Sequence, residues 1–481
     1  MPRRPLHLTG AAEAALRTAL REVRTALDVP GDFPREALAE AEQAARTPRP
    51  PGHDATDLPF WTVDPPGSAD LDQAVHLARR PGGGFRVHYA IVDVAAFVAP
   101  GGRLDAEAHR RVQSLYFPDG TVPLYPRVLS EGAASLLPGR PAPALLWRID
   151  LDADGRAVTT DVRRALVRSR DRLDYAGVQR LLDGGTAEEP VALLAEIGRL
   201  RQELEAERGG ISLDVPEQEV HEHDGAFLLS YRSPLPVERW NAQLSLLTGM
   251  AAADLMTASG TGILRTLPTA PDGAVTRLRR TAGALGVDWP HHVSYAALVR
   301  SLDPGEPRHA AFLQECTGLL RGAGYSAFTG GRLPSPSVHA AVAAAYTHCT
   351  APLRRLVDRY AGELCLAAAA GREPPDWVSA ALAGLPGEMA RGARRAAAVE
   401  RACVDLVEAA ALRGRVGELF DGVVVEVRDS EPDVGTVQLE HPAVVARIEG
   451  DGALPLGERL QVRLTRADPA EPAVVFAPAA R

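Results

Sequence analysis

The last part of the chain has a sequence texture that few folds can accommodate. From about Val416, short apolar or alternating runs follow one another, and Asp, Gly and Pro residues separate most of them. Runs of this length and spacing predict the short strands of a small closed barrel of the OB type. The five predicted strands are Gly422–Val427, Gly435–Leu439, Ala443–Ile448, Leu460–Leu464 and Ala473–Phe476.

Barrels of this type often bind single nucleic-acid strands through exposed aromatic side chains. Only Phe420 and Phe476 are available for stacking in this region. The sequence is therefore compatible with two roles for this barrel, a purely structural one and the binding of a single nucleic-acid strand.

The preceding region, residues 57–413, alternates between strand-like and helical patterns. This alternation predicts a large α/β domain followed by the barrel over residues 414–481, and so a multidomain α+β protein. The clearest examples are the strand-like runs Phe85–Val94 and Leu145–Leu151 and the helical stretches Pro190–Arg208, Val237–Thr257 and Glu388–Leu412.

Residues 1–56 predict a small helical domain. Leu16, Leu20 and Val23 are apolar positions at helical spacing, and Pro30-Gly31 ends this helix before a second one from Pro34 to about Arg46. Two such helices could form a helix-turn-helix unit. The absence of an all-polar recognition face favours the alternative, a helical cap on the next domain.

The composition bounds the function classes. A chain of 481 residues, 46% of them apolar and 24% charged, is too long for one hydrophobic core and has the balance of a soluble globular protein. The formal net charge of −9 argues against a nucleic-acid partner. A chain that is acidic overall can still bind a nucleic-acid strand if basic residues are concentrated in one channel. All 53 basic residues are arginine. Because the chain is also rich in Ala, Gly and Pro, we interpret the absence of lysine as coding bias rather than as a sign of phosphate recognition.

The cysteine and hydropathy patterns predict a cytoplasmic protein with no membrane partner. The four cysteines show no Cys-x-x-Cys spacing, which argues against a zinc ribbon and favours reduced thiols. No apolar run approaches the roughly 18 residues that cross a bilayer. Glu13 and Arg17 interrupt what would be the core of a signal peptide.

Three carboxylates are the most distinctive local feature. Asp64, Asp70 and Asp72 lie within nine residues around Pro65-Pro66-Gly67, so the chain turns and can bring them together. Carboxylates packed this closely repel one another unless a cation neutralises them, and hard oxygen ligands suit Mg²⁺, Mn²⁺ or Ca²⁺. The spacing excludes an EF-hand. A solvated acidic turn is the alternative, and spacing alone favours it.

The segment Tyr346–Asp358 is the second candidate. Pro352 predicts the first position of a helix, with Arg354 and Arg355 in its first turn. Arginines there are unfavourable for the helix dipole unless an anion binds at the same end. A solvated pair of arginines is the alternative.

These segments resemble the ribonuclease II (RNB) family. Asp64–Val75 is similar to the family's Thr-Ile-Asp-Pro segment followed by Arg-Asp-hydrophobic-Asp-Asp-Ala, and Thr347–Asp358 resembles its Thr-His-Phe-Thr-Ser-Pro-Ile-Arg-Arg-Tyr-x-Asp. The remaining similarities run in family order over about 57–481. They are His88–Val94, Ser114–Asp119, Leu129–Leu136, Arg172–Tyr175 and Arg415–Val423, the last resembling the family's entry into its C-terminal RNA-binding barrel.

The resemblance implies a processive 3′→5′ exoribonuclease. It would hydrolyse single-stranded RNA with a free 3′ end to nucleoside 5′-monophosphates, in RNA decay and processing, as a monomer. Asp64, Asp70 and Asp72 would hold Mg²⁺, with Mn²⁺ as the alternative, and would be catalytic together with Arg354, whose guanidinium would stabilise the charge that builds on phosphorus.

The resemblance also implies RNA contacts. Tyr175 would pack on the terminal nucleotide, and Tyr116 would stack further out and help to set the length of the last undigested oligonucleotide. Arg355 would contact RNA or hold the backbone. For both tyrosines a core position is the alternative, because each lies in an apolar context.

This sequence departs from the family at three of these places. Gln73 stands where the family has a fourth aspartate, so a metal should bind more weakly or with extra water, and Gln73 is assigned to RNA contact. Ala242-Gln243 replaces paired glutamates, and Leu356 replaces an aromatic residue. These departures leave open an RNB-like RNA-binding protein with impaired catalysis. A nuclease directed to DNA is a further alternative, because a Mg²⁺ site does not itself recognise the 2′-hydroxyl of RNA.

Overall fold

The structure is a computed structural model that describes residues 11–215, 217–223, 226–320, 322–428, 430–439, 441–468 and 473–479. Residues 1–10 of the predicted N-terminal domain and residues 480–481 of the predicted barrel lie outside the described residues.

The described chain contains both helices and strands throughout. The α-helices are α1 Ala11–Ala26, α2 Arg35–Arg46, α3 Arg103–Arg111, α4 Tyr175–Asp183, α5 Glu189–Glu207, α6 Pro236–Ser259, α7 Asp272–Ala284, α8 Tyr295–Ser301, α9 Pro307–Cys316, α10 Leu356–Ala369, α11 Asp376–Leu382 and α12 Leu385–Leu412. The strands are β1 Phe60–Asp64, β2 Gln73–Arg79, β3 Phe85–Val92, β4 Leu115–Phe117, β5 Gly120–Val122, β6 Pro141–Leu151, β7 Ala157–Asp174, β8 Glu217–His223, β9 Ala226–Arg232, β10 Gly262–Thr266, β11 Gly324–Phe328, β12 Leu419–Arg428, β13 Glu431–Leu439, β14 Val444–Glu449, β15 Arg459–Asp468 and β16 Ala473–Pro478.

A closed barrel forms the centre of the region over residues 57–413. Its strand order is β1-β2-β3-β6-β7, and β1 closes the barrel by pairing in parallel with β7. Trp61, Val75, Tyr89 and Trp147 are register partners on successive strands, and all four are buried. Because alternate residues of a strand share a face, this row of large side chains fills the barrel with a packed core.

The connection between β1 and β2 lies at one end of this barrel. β1 ends at Asp64 and β2 begins at Gln73, so the loop between them carries Asp70 and Asp72. The barrel therefore fixes both ends of the acidic segment that the sequence singled out.

A second closed barrel follows α12, with the strand order β12-β13-β14-β16-β15. The OB-type barrel expected from the C-terminal texture, and with it the multidomain α+β fold class, is confirmed. Phe420 and Phe476 are 5% and 0% exposed and pack edge to face at 5.7 Å. They therefore belong to the barrel core, and the idea that they stack on a bound strand is wrong.

The two N-terminal helices pack against the rest of the chain. Leu16 and Leu20 of α1 are buried with residues of α12 and of the β4–β5 hairpin, and Ala37 and Ala41 of α2 are fully buried. The limits of the domains stay a prediction. In the part of the chain described, no helix has both the length and the apolar character that a membrane span requires.

Candidate active site

Backbone hydrogen bonds hold the acidic loop in place on both sides of Leu71. The Leu71 N–H donates to Ser135 Oγ at 3.0 Å, and Leu136 N–H donates to the Leu71 carbonyl at 3.1 Å. The Val92 N–H donates to the Asp72 carbonyl at 3.0 Å. Leu71 is fully buried. The loop is therefore fixed by its own backbone, which leaves the side chains of Asp70 and Asp72 available to the pocket.

Asp72 meets a segment that lies 281 residues away in the sequence. The Leu353 N–H donates to Asp72 Oδ1 at 2.7 Å, and Arg354 Nε lies 3.4 Å from Asp72 Oδ2. Asp72 is 4% exposed. The two candidate segments of the sequence therefore come together at an ion pair whose carboxylate is buried and whose guanidinium is partly exposed.

The segment that carries Arg354 is a turn followed by an extended residue, so the prediction that a helix starts at Pro352 is wrong. The helix α10 begins at Leu356, after Arg355. The N–H groups of Arg354 and Arg355 both donate to the Ala351 carbonyl, and Ser114 N–H donates to the Arg354 carbonyl at 3.0 Å. Pairing with residues 112–114 competes with helix formation here, and a sequence pattern cannot reveal a partner so distant in the chain.

One pocket of about 610 Å³, counting the part open to solvent, collects the candidate residues. Tyr116 and Tyr175 both line it and both are partly exposed, and Tyr175 also packs against the main hydrophobic core. The described lining comprises Trp61, Val63, Asp64, Pro65, Ser68, Asp70, Asp72, Gln73, Ala74, Val75, Tyr89, Tyr116, Tyr175, Asn241 and Arg354.

Burial disfavours the charged forms of the three carboxylates. It raises the pKa of Asp64 to about 6 and that of Asp72 to about 8, and it also raises the pKa of Asp70. The Arg354 guanidinium lowers the pKa of all three carboxylates, whereas the negative charge of Asp70 further raises the pKa of Asp64 and Asp72. Three carboxylates and one guanidinium in the described lining also leave the pocket short of positive charge.

Three polar groups of the pocket lining are buried and lack a hydrogen-bond partner of good geometry among the described residues. They are the Nε of Arg354, the hydroxyl of Tyr116 and the indole Nε1 of Trp61. A buried donor without a partner is costly unless a ligand or water satisfies it. The Arg354 and Tyr116 groups, which belong to partly exposed residues, are therefore suited to meet a bound ligand.

The sequence pattern of the RNB domain matches residues 53–368, and that of the RNase II-type exonuclease C-terminal S1 domain matches residues 418–479. The first match covers well over half of the chain. The chain belongs to the RNB family.

Among curated proteins, ribonuclease R of Thermotoga maritima is 26% identical over 356 residues, which cover 70% of this chain and 49% of the relative. The chain thus spans about half the length of this relative. Among solved structures, Mycoplasma genitalium RNase R in complex with ribose methylated single-stranded RNA matches with a TM-score of 0.84 at 19% identity, over 97% of this chain and 78% of that one.

A second solved structure has a similar fold. Yeast Ssd1, described as a pseudonuclease, matches with a TM-score of 0.64 at 16% identity, over 92% of this chain and 53% of that one. At these identities the likeness shows the fold alone. Activity must therefore be argued from the residues in the pocket.

Gln73, which departs from the RNB pattern, belongs to a small hydroxyl network. The hydroxyl of Tyr89 contacts Gln73 Oε1, Ser245 Oγ donates to the same oxygen at 3.2 Å, and the two hydroxyls lie 3.0 Å apart. These residues come from β2, β3 and α6. The position at which the resemblance implies a fourth carboxylate is thus occupied by a neutral amide that β3 and α6 hold in place.

Arg355 lies outside the described pocket lining and has an internal partner. Its Nε and Nη2 donate to the Asp358 carboxylate at 2.9 and 2.8 Å, and the Ala351 N–H donates to Asp358 Oδ1 at 2.7 Å. This pair ties the start of α10 to the turn before Arg354.

Sequence reasoning missed Asn241 and Ser245 as site residues. Both lie on α6, and the Asn241 Nδ2 donates to the Tyr175 hydroxyl at 3.3 Å. Polar residues four apart on a largely apolar helix share one face, and this spacing was the signal available in the sequence. Gln243, noted for its departure from the family, is instead buried and donates to Glu205 away from the described lining.

The carboxylates do not form a ready-made metal cage. Among the residues that the structure describes, no three side chains of His, Cys, Asp or Glu are arranged to hold an ion. Asp72 already accepts a hydrogen bond from Leu353 and pairs with Arg354, so these contacts would compete with a cation for its oxygens. The oxygen chemistry of the three carboxylates and the pocket's shortage of positive charge nevertheless fit a hard divalent cation.

Proposed function

We propose that this chain is a Mg²⁺-dependent 3′→5′ exoribonuclease that degrades single-stranded RNA processively to nucleoside 5′-monophosphates. The observation that carries the proposal is the meeting of Asp64, Asp70 and Asp72 with Arg354 in one pocket of an RNB-family chain. In this proposal the protein acts in the cytoplasm as a monomer, in RNA decay and processing, and takes RNA with a free 3′ end.

Asp64, Asp70 and Asp72 would hold the Mg²⁺, or Mn²⁺ in its place. The lining described above sets these three carboxylates against a single guanidinium, which leaves negative charge for a cation to neutralise. A divalent cation bound there would supply Lewis-acid charge at the scissile phosphate. In the ion-free form, protonation is the alternative way to relieve the same repulsion, in accord with the raised pKa values.

Arg354 would bind a non-bridging oxygen of that phosphate. Its Nε is buried, is oriented toward Asp72 and has no hydrogen-bond partner of good geometry among the described residues. A guanidinium held in a buried site by a carboxylate is oriented before the substrate arrives. Its attraction to the charge that develops on phosphorus is therefore obtained without rearrangement.

The two tyrosines would hold the last nucleotides. The Tyr175 hydroxyl accepts a hydrogen bond from Asn241, which fixes the ring that would pack on the terminal base. Tyr116 would stack on a base further from the end and so help to set the length of the last undigested oligonucleotide. Stacking tolerates every base, as an enzyme that degrades all sequences requires.

Gln73 and Arg355 would serve RNA less directly. Because Gln73 Oε1 accepts from Tyr89 and Ser245, its Nε2 is the group left to donate to an RNA oxygen. Arg355 already has Asp358 as its partner, so we propose that it holds the turn that carries Arg354. Contact with RNA through its remaining N–H groups is the other role open to Arg355.

A catalytically impaired RNA-binding protein is the second candidate. Gln73 favours it, because a neutral amide replaces one carboxylate of the family's set. Three carboxylates and Arg354 nevertheless remain together in the pocket, so we favour hydrolysis.

Digestion of a single-stranded RNA labelled at its 5′ end separates the two candidates. With saturating Mg²⁺, the exoribonuclease releases nucleoside 5′-monophosphates from the 3′ end and shortens the labelled strand stepwise. Binding of RNA without any release, at every Mg²⁺ and Mn²⁺ concentration, identifies the impaired relative. A matched RNA with a few deoxy residues at its 3′ end tests for a DNA-directed nuclease, which would degrade it unhindered.

A further inference from the structure

The hairpin β4–β5 carries Tyr116 into the pocket and turns its neighbours the other way. Leu115 and Phe117 are 3% and 4% exposed and belong to a separate apolar cluster, whereas Tyr116 between them lines the pocket. Alternate residues of a strand point to opposite faces. Whatever packs against Leu115 and Phe117 therefore supports Tyr116 from behind.

The helix α1 packs against this back face. Leu16 and Leu20 of α1 are 2% and 0% exposed and share the cluster with Leu115 and Phe117. Residues of α12 complete the cluster, so the hairpin lies between the two helices and the pocket. The N-terminal helix is thus part of the wall behind the active site.

Arg24 of α1 holds the hairpin at two points. Its Nη1 and Nη2 donate to the two carboxylate oxygens of Asp119, at 3.1 and 2.6 Å. Its guanidinium carbon lies 4.0 Å from the centre of the Phe117 ring. A planar guanidinium that binds a carboxylate with two bonds and stacks on a ring fixes orientation as well as distance. Asp119 occupies the turn of the hairpin, three residues after Tyr116.

The same hairpin is joined to the Arg354 segment by backbone hydrogen bonds. Ser114 N–H donates to the Arg354 carbonyl at 3.0 Å, and Leu356 N–H donates to the Val112 carbonyl at 2.9 Å. A displacement of the hairpin would therefore move Tyr116 first and the Arg354 backbone with it.

We propose that α1 is a positioning element of the active site and that Arg24, through Asp119 and Phe117, sets where Tyr116 meets the RNA. The inference rests on the proposed exoribonuclease function and assigns to α1 a role in substrate register. Arg24 touches no substrate in this account; it acts through Tyr116. A partly exposed ion pair contributes little to the stability of the whole protein, so its loss should displace the hairpin without unfolding the chain.

The first test compares Arg24→Ala with Arg21→Ala. Arg21 lies on the same helix and is exposed, and its described hydrogen bonds are to Arg17 and Thr18 within α1, so it is a matched control. Complete digestion of 5′-labelled RNA should leave longer or more varied final oligonucleotides with Arg24→Ala, a raised KM for short RNA and a nearly unchanged kcat. Arg21→Ala should match the unaltered protein. Identical final products and KM for Arg24→Ala would overturn the proposal.

The second test does not depend on hydrolysis. Binding of a short fluorescent RNA in EDTA is measured for Arg24→Ala, Tyr116→Ala and the double variant. Because stacking on one aromatic ring is worth roughly five- to 150-fold in affinity, we expect Tyr116→Ala to bind at least about fivefold more weakly than the unaltered protein. Arg24→Ala should also weaken binding, by no more than Tyr116→Ala does, and the double variant should bind no more weakly than Tyr116→Ala. Independent losses that multiply would show that Arg24 does not act through Tyr116.

Two further variants guard against misfolding. Arg24→Lys keeps the charge but loses the paired hydrogen bonds, and should show a smaller shift in the same direction. Arg24→Asp combined with Asp119→Arg restores an ion pair and should recover the product length. If unaltered protein releases no nucleotide, the proposed function fails while the binding test still decides the role of Arg24.

Discussion

Replacement of Asp72 by Asn should abolish turnover and at the same time stabilise the ion-free protein. The side chain is 4% exposed and keeps its shape on substitution, so Asn can still accept the hydrogen bond from Leu353. What the metal-bound enzyme loses is the negative charge that Asp72 carries beside Arg354 and the cation. Loss of one pre-oriented electrostatic group typically lowers kcat by about 10²–10³-fold.

The gain in stability follows from the pKa of Asp72. Burial raises it from 3.8 to about 8, so at pH 7 the unfolded chain ionises this group while the folded protein does not. The difference between pH 7 and 3.8 corresponds to an upper limit of about 4 kcal/mol of lost stability, which Asn would recover. The gain should be absent below about pH 4, where both states are protonated, and should grow as the pH rises toward 8.

Urea unfolding in EDTA at several pH values measures this gain, and RNA digestion in Mg²⁺ measures the loss of turnover. Asp93→Asn is the matched control: Asp93 is 3% exposed but binds Arg164 at 2.7 Å outside the described lining, so its replacement should destabilise the protein. Retained turnover by Asp72→Asn, or a loss of stability like that of the control, would refute the reasoning.

Three other substitutions test separate parts of the site. Gln73→Asp should strengthen Mn²⁺ binding about tenfold in calorimetry, because it adds a carboxylate. The neutral control Gln73→Asn should not strengthen it. Equal Mn²⁺ affinities of the two variants would contradict the role assigned to charge at this position. Arg354→Lys should lower kcat by about 10²-fold, because an ammonium cannot reproduce the planar guanidinium, and a kcat within twofold would remove Arg354 from the mechanism. Asn241→Ala removes the hydrogen bond to Tyr175 and should raise KM by about three- to tenfold with little change in kcat; an unchanged KM would show that Tyr175 needs no such support.

Much of the fold could be predicted because local patterns and long-range packing agree. The predicted helix Val237–Thr257 lies within α6, and the predicted strand Leu145–Leu151 lies within β6. The five short C-terminal runs became the five strands of the second barrel. Where one face of a helix or strand is buried, the periodic pattern of apolar and polar residues is enough to predict that element from the sequence.

The start of α10 could not be predicted, because its deciding partners are distant in sequence. Pro352 is an acceptable first helical residue, but the turn that follows it is held by Ala351, by the Asp358 carboxylate and by pairing with Ser114. A local pattern contains no information about the last of these. The same limit applies to Phe420, whose burial depends on how the barrel closes.

The candidate site also contains residues that the sequence could identify and residues that it could not. The three aspartates stood out because like charges in a tight turn are costly, but their spacing alone favoured a solvated turn, and the resemblance to the RNB family decided for a metal site. The partners of Gln73 could not be identified, because Tyr89 and Ser245 reach it from other elements. The support that α1 gives to Tyr116 likewise depends on Arg24 and Asp119, which lie 95 residues apart.

The most direct measurement is a crystallographic one, on this protein with Mn²⁺ and a short RNA whose terminal linkage resists hydrolysis. An anomalous peak among Asp64, Asp70 and Asp72, with the terminal phosphate between it and Arg354, is the result expected here. A peak bound elsewhere, or an RNA 3′ end that stays outside this pocket, would contradict the account.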